Sequence, residues 1–433
     1  MEPTLTLCDR VTNVREVCLY NELGHRSPDP RLQAETVGRD LTRMGLRRGD
    51  RLGVVLPNGP DFVATFIACL QHEMTFVPLS PGVSPDDLEA RYRAARVTGV
   101  MNAGEGLRRV AAFDPFHSQS GLVPAAIFFT SGSAGTARPV ALSEQALLHV
   151  ADTHHTALGY SPGDTITGYL PWSHAFGFTL ELLMGILHQG ALRSVSAQAF
   201  PAVFDDSPGD CLFTVPRMVE RLSDRSLRKV RAGIVGGAPI HGRVRRRLQA
   251  TQLRVGYGQT ECAPGVSLGD AGEWEFDDFL GRALGCAWTL RTHAGERVGE
   301  LAVQGPNLAM GYVQDDQLTS VASPDGWRAT GDLATACGDG FVFQGRKDEL
   351  FKLDNGRMVN PVPLERPYDG SVLLVGEGRE AVQPLLRGAP PESFSLPVPH
   401  FQPRAMPEDF WSACTTPTGK VSRRRAQQLF YQG

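Results

Sequence analysis

The sequence predicts an α/β protein with a smaller β-rich region toward its C-terminal end, on three observations. Helical and strand-like patterns alternate through the first third, one stretch reads strand–helix–strand, and from about residue 275 the texture turns to short strands broken by turn residues. At 433 residues the chain has room for two or three domains.

Ala34, Val37, Leu41 and Met44 recur at helical spacing and stop at Gly45, a residue free to take the positive φ of a helix end. The apolar run Leu52 to Leu56 meets the breaker Pro57-Asn58-Gly59-Pro60, and Phe62, Val63, Phe66, Ile67 and Leu70 then mark a second helix. Thr75 to Leu79 reads as the next strand, so this unit implies parallel strands in a covered sheet. Ser84-Pro85-Asp86-Asp87 carries a capping hydroxyl, a first-turn proline and acids at the positive end of a helix dipole. Residues 122 to 129 form an apolar run that ends in Phe128-Phe129. Later, Leu301 to Val303, Trp327 to Thr330 and Phe341 to Phe343 are separated by Ser323-Pro324-Asp325-Gly326 and Gly338-Asp339-Gly340. After Gly345-Arg346-Lys347-Asp348 follows a charged, proline-rich stretch with strand-like runs such as Val372 to Val375 and no long amphipathic helix, which places a domain boundary there.

Composition narrows the function classes. A formal net charge of -4 from 43 basic and 47 acidic residues argues against a nucleic-acid or anionic-membrane footprint. The eight cysteines are scattered singly, without a C-x-x-C pair, which fits a reducing, cytoplasmic setting and neither zinc nor disulfides. No signal peptide is expected at Met1-Glu2-Pro3-Thr4, and no apolar run is long enough to span a membrane. Only four lysines occur, Lys229, Lys347, Lys352 and Lys420, so nearly all positive charge is arginine.

The strand ending at Phe129 feeds into Thr130-Ser131-Gly132-Ser133-Ala134-Gly135-Thr136. Small hydroxylated residues and glycines let a backbone approach an anion and offer it N–H and O–H donors. No G-x-x-x-x-G-K-[ST] occurs, which disfavours a Walker-type kinase or GTPase. His149, Asp152, His154 and His155 lack a shared helical face for metal ligation, so a solvated helix surface is expected; Cys262 is expected to be a packing residue.

Taken in order, several loops resemble the adenylate-forming superfamily of acyl-CoA synthetases, nonribosomal-peptide adenylation domains and luciferases, over roughly residues 31 to 425. Phe129 to Gly135 is similar to its phosphate-binding loop, although the usual Pro-Lys-Gly continuation is replaced by Ala137-Arg138-Pro139, exchanging a compact ammonium for a planar fork. Leu170-Pro171-Trp172-Ser173-His174-Ala175-Phe176-Gly177 resembles the next motif, implying that His174 borders the carboxylate pocket. Gly236-Gly237-Ala238-Pro239 resembles the adenine-lining segment. Tyr257-Gly258-Gln259-Thr260-Glu261 matches a signature in which the Tyr stacks on adenine, the Thr meets the α-phosphate and the Glu holds Mg2+. Thr330-Gly331-Asp332-Leu333 matches the ribose-binding element. Arg346 falls near the ribose, Asp348 at a hinge, and Lys352, Gly356, Pro361 and Glu365 at the start of a small mobile domain. Thr416-Pro417-Thr418-Gly419-Lys420 is similar to the terminal loop that carries the catalytic lysine.

The resemblance implies a large N-terminal adenylation domain, 1–345, whose α/β subdomains end near 270 and whose small β-barrel-like subdomain covers about 275–345. A shortened, mobile α+β lid of residues 346–433 follows. It implies ATP and Mg2+ as cofactors, an acyl-adenylate formed with release of pyrophosphate, and transfer to the thiol of coenzyme A or of a carrier protein's phosphopantetheine. The segment Phe176 to Leu187 is strongly apolar with only Glu181 in it, which favours a fatty or aryl acid over an amino acid. Transfer to an amine, or a degenerate non-catalytic homologue, are the alternatives. The sequence leaves the oligomeric state open.

Overall fold

In a computed structural model, the structure describes residues 5–110, 122–130, 137–240, 242–275, 278–293, 295–315, 317–388, 394–415 and 421–432. The predicted caps form. Ser84 Oγ accepts from the Asp87 amide to open helix Pro85–Ala94, Pro30 and Pro60 sit in the first turns of Pro30–Arg43 and Pro60–Gln71, and Gly45 follows the former with φ of 72°. A helix at Leu7–Asn13, capped by Thr6, lies ahead of the first predicted one.

Two eight-stranded sheets dominate the described residues. The first runs Gln317–Thr319, Gly311–Gln314, Pro139–Leu142, Ala126–Phe129, Thr75–Pro78, Arg51–Val55, Gly99–Asn102, Gly106–Arg109. Its strands 51–55 and 75–78 are parallel, as the strand–helix–strand pattern requires. The second runs Cys18–Tyr20, Ala191–Ser194, Thr165–Gly168, Cys211–Thr214, Ala232–Gly236, Leu253–Tyr257, Ser267–Leu268, Arg282–Ala283; its first six strands are parallel and its last two antiparallel.

Helix Pro60–Gln71 is buried through Phe62, Val63, Phe66 and Ile67, and Phe62 and Phe66 both pack on Phe76 of the first sheet. Phe66 meets Phe178 edge-on at 4.9 Å, and Phe128 lies 5.1 Å from the same ring. Buried aromatic contacts of this kind are worth about 0.5–1.5 kcal/mol each beyond area burial.

The β-rich region is a four-stranded antiparallel sheet, Ala287–Arg291, Val298–Gln304, Arg328–Cys337, Gly340–Arg346. Two pieces leave it. Arg282–Ala283 pairs back onto the second sheet, and Gly311–Gln314 crosses to the first, where Tyr312 stands opposite Val140. These are long-range pairings that local turn signals do not encode.

Beyond residue 346, strands Val372–Val375, Gln383–Arg387 and Arg404–Met406 form a small sheet covered by helices Glu408–Cys414 and Arg423–Gln432 through Trp411, Cys414 and Ala426. The last helix opens on Arg423, which is buried: it pairs with Glu365 at 2.9 Å and donates to the Leu374 carbonyl at 2.6 Å.

Candidate functional site

The candidate residues gather where the parallel strands of the second sheet end and the four-stranded sheet leans over them. Such carboxyl ends are where open α/β sheets bind ligands. Gly236 ends one strand opposite Gly256, and a Cβ on it would lie 2.5 Å from the Gly256 carbonyl, so only glycine fits. Ala238 and Pro239 follow, after Gly237 at φ of 79°. The neighbouring strand ends at Tyr257. Gly258 then packs so closely on Pro264 that a Cβ would overlap its carbonyl at 1.3 Å.

Asp332, 4% exposed, is the focus of one hydrogen-bonded group. Tyr257 Oη donates to its Oδ2 at 2.6 Å, Gln259 Nε2 donates to the same oxygen at 2.6 Å, and Arg346 Nη1 reaches Oδ1 at 2.9 Å. Burial, then the Asp332 charge, pushes the Tyr257 phenol well above its ordinary value. Arg346 also pairs with Asp348 at 3.0 Å, in the turn Lys347–Glu349, and these carboxylates hold its guanidinium above the usual arginine value against the burial that lowers it. Gly331 donates its amide to Glu300, which Lys347 also contacts at 2.7 Å.

Glu261 centres a second group. It lies in the short turn Thr260–Cys262 that Thr260 opens. Its Oε1 accepts from Tyr312 Oη at 2.7 Å and lies 3.0 Å from Arg328 Nη2, with the Arg328 and Glu261 side chains each 8% exposed. Arg138, from the altered continuation of the 130–136 loop, stacks 4.2 Å over the Tyr312 ring and donates to its hydroxyl at 3.3 Å. Arg328 also donates to Gln259 Oε1 at 3.2 Å, joining the two groups.

Among the described residues, Tyr312 and Arg328 both meet Glu261 at Oε1. A hard cation held by one carboxylate oxygen and substrate phosphates suits magnesium, and among the described residues no cluster of three or more metal-ligating side chains offers an alternative.

Thr130, at the end of strand Ala126–Phe129, exchanges hydrogen bonds with Arg138 across the loop mouth. Ser131, Gly132, Ser133, Ala134, Gly135, Thr136 and Lys420 lie outside the described residues. His174 sits in the loop after strand Thr165–Gly168. Burial, with the nearby Arg91 charge, pushes its imidazole down to about 4, so it is neutral at pH 7. Arg91 stacks 5.2 Å over Phe129. Lys352 is exposed on the hairpin Phe351–Lys352/Met358–Val359, and the structure does not bring it into the Asp332 group.

Arg328, Tyr312 and Arg91 are the residues that motif reading passes over. Arg328 carried a usable signal: on a strand, residues two apart share a face, and Arg328, Thr330 and Asp332 are all buried on one. The His149–His155 surface differs from expectation. His154 is buried, bonded to the Val150 carbonyl at 2.8 Å, His149 meets the Gly285 carbonyl at 2.7 Å, and Asp152 is paired with Arg10. Packing against residues distant in sequence consumes this face. Cys262 is fully buried, with its thiol pushed up to about 12, as a packing residue should be.

A family model for AMP-binding enzymes matches residues 30–121 and 113–313. The chain belongs to the AMP-binding enzyme family. It is a member of the adenylate-forming superfamily that its motifs resemble. Among its relatives, feruloyl-CoA synthase of Amycolatopsis sp is 26% identical over 372 residues, covering 76% of this chain and 75% of the relative. Probable 4-coumarate–CoA ligase 3 of Dictyostelium discoideum is 27% identical over 410 residues, covering 76% and 73%. Among solved structures, ATP-bound MatB from Rhodopseudomonas palustris superposes with a TM-score of 0.79 at 18% identity over 98% of both chains. O-succinylbenzoate coenzyme A synthetase (MenE) from Bacillus subtilis in complex with AMP gives 0.78 at 16% over 97% of both. This AMP-binding enzyme thus shares their fold, the mixed α/β architecture that its motifs imply.

Proposed function

We propose that this enzyme activates a neutral, apolar carboxylic acid, fatty or aryl, with ATP, forming an acyl-adenylate and pyrophosphate. The acyl group then passes to a thiol, that of coenzyme A or of a carrier protein's phosphopantetheine, as the C–S bond forms and the acyl C–O bond to AMP breaks. The observation that carries this reading is the linked pair of groups around Asp332 and Glu261, which sets a buried carboxylate acceptor beside Arg346 and Arg328 and a second carboxylate, Glu261. The names of the relatives support the class of acid: feruloyl-CoA synthase and 4-coumarate–CoA ligase on the aryl side, long-chain-fatty-acid–CoA ligase on the fatty side.

In residue terms, Asp332 accepts from the ribose hydroxyls, taking over from Tyr257 and Gln259, and the Gly236, Gly237, Ala238 and Pro239 strand end receives the adenine beside Tyr257. Thr260 and the 130–136 donors orient the phosphates, with Arg138 contributing positive charge at the loop's exit. Bound at Glu261, Mg2+ supplies charge that offsets the triphosphate. The carboxylate attacks the α-phosphorus, a P–O bond forms to the acid, and the P–O bond to pyrophosphate breaks. Lys420 bridges the two anions as a flexible point charge, a task for which an ammonium suits better than a planar guanidinium. His174, neutral, borders the acid without adding charge. The residues that line the segment behind it, Phe178, Leu180, Leu182 and Leu183, are buried and apolar, and Glu181 among them is pushed up to about 8 by burial, so it offers no carboxylate to a substrate ammonium.

Residues 1–345 and 346–433 act as adenylation domain and lid, with Asp348 as pivot; the Arg346–Asp332 contact spans that boundary. No helix among the described residues is long and apolar enough to cross a membrane. All eight cysteines are free, which supports a cytoplasmic setting. The test is mass spectrometry of products from ATP, magnesium and a panel of acids, offered coenzyme A, a pantetheinylated carrier protein or an amine. A thioester with a fatty or aryl acid is the expected product; an amide as the only acyl product, or a preference for an amino acid, overturns the reading.

A further inference from the structure

The loop that carries His174 is gripped from two sides. Asn58, in the breaker between strand Arg51–Val55 and helix Pro60–Gln71, uses its side-chain amide twice: Nδ2 donates to the Leu170 carbonyl at 2.8 Å, and Oδ1 accepts from the Trp172 amide at 2.9 Å. From the other side Glu181 Oε1 accepts from the Trp172 indole Nε1 at 2.9 Å. Glu181 is 1% exposed, and its second oxygen, Oε2, is buried without a hydrogen-bond partner. The backbone is shaped for it. Residues Gly177–Leu183 form a π-helix, a widened turn found frequently at functional sites, and Gly168 beneath it has no room for a Cβ, which would lie 2.2 Å from the Glu181 carboxyl carbon.

An ionisable side chain so enclosed, without a cation beside it, costs stability unless it works for its place. We propose that Glu181 and Asn58 form a two-sided clamp on the 170–176 loop, and that Glu181 is a positioning residue that sets His174 against the carboxylic-acid substrate. This rests on the proposed acid-activating function and adds the device that fixes its acid pocket. Ionised, Oε1 would still accept from Trp172, but charge would fall on the unpartnered Oε2 in a site closed to water, so the packing around the clamp is kept with Glu181 neutral. Burial raises its carboxyl to about 8, the Trp172 and Leu170 donors pull against that, and no charged side chain contributes. The phenol of Tyr169, whose own shift Glu181 feeds, is held at about 12 chiefly by burial, and His174 is neutral, so Glu181 alone titrates here near neutral pH.

The test compares wild type with Glu181→Gln, Glu181→Leu and Asn58→Ala in acid-dependent pyrophosphate exchange. Glu181→Gln, isosteric and never charged, is expected to keep KM for the acid within about twofold at pH 7, whereas Glu181→Leu and Asn58→Ala raise it about tenfold, the worth of one buried hydrogen bond. KM for ATP stays within about twofold in all three, a split that general loss of structure does not produce. From about pH 7 to about pH 9 the wild-type KM for the acid rises while that of Glu181→Gln stays flat. Equal pH profiles for wild type and Glu181→Gln, or equal effects on acid and ATP, overturn the proposal. Tryptophan emission supplies a readout free of catalysis: a transition near the Glu181 midpoint is expected in wild type and absent in Trp172→Phe and Glu181→Gln. If exchange is absent but this transition is present, the clamp stands and the acid-activating reading falls; if the transition persists in Glu181→Gln, the clamp falls.

Discussion

The Arg328 guanidinium lies 3.0 Å from the Glu261 carboxylate with both side chains nearly out of water, and Tyr312 donates to the same oxygen. Removing one partner of such a pair leaves a buried charge uncompensated, at a cost of about 3–5 kcal/mol, whereas removing both charges costs far less. Arg328→Met is therefore expected to lower urea-unfolding stability by about 3 kcal/mol, and the double variant Arg328→Met with Glu261→Gln to recover most of it. Equal losses in the single and double variants would show that the pair does not carry this charge balance.

Asp332 collects Tyr257, Gln259 and Arg346 at 2.6 to 2.9 Å. If it accepts from ribose hydroxyls, Asp332→Asn weakens AMP binding measured by calorimetry about tenfold or more, because charged hydrogen bonds are worth about 1.5–3 kcal/mol. Tyr257→Phe, which removes only a hydroxyl, changes it by less than Asp332→Asn. Unchanged AMP affinity in Asp332→Asn places the ribose elsewhere.

Buried titratable groups set opposite pH slopes. Glu181 binds its proton more tightly folded, about 8, than its ordinary 4.5, so its contribution to stability is full below 4.5 and is lost as pH rises through that window. His154 and His174 are both pushed down to about 4 from 6.5, so their contribution is full above 6.5 and is lost as pH falls toward 4. Each group contributes a slope of about 1.4 kcal/mol per pH unit within its window. Melting temperatures across these windows are expected to fall on both sides, and Glu181→Gln to flatten the alkaline side only. An unchanged alkaline slope in Glu181→Gln would assign that loss to other groups.

Local periodicity and capping made the first third of the fold legible: the alternation of Leu52, Phe62–Leu70 and Thr75 with proline breakers suffices to place strand, helix and strand. What stayed hidden is non-local. Gly311–Gln314 pairs with Pro139–Leu142, and only that crossing sets Tyr312 beside Arg138. Arg423, the first of three consecutive arginines, is buried against Glu365, 58 residues away. In the candidate site, motif order marks Tyr257, Gln259, Asp332 and Arg346, which the structure joins in one group. Arg328 and the Asn58–Trp172–Glu181 contacts lack such a mark, because each depends on which distant segments the sheets bring together.

The most direct test is exchange of labelled pyrophosphate into ATP, driven by a panel of carboxylic acids, in wild type and Lys420→Ala. The predicted result is exchange that depends on an added fatty or aryl acid and falls about a hundredfold or more in Lys420→Ala, the scale of a lost electrostatic contact to the transition state. Exchange with no acid in the panel, or full exchange in Lys420→Ala, contradicts the account.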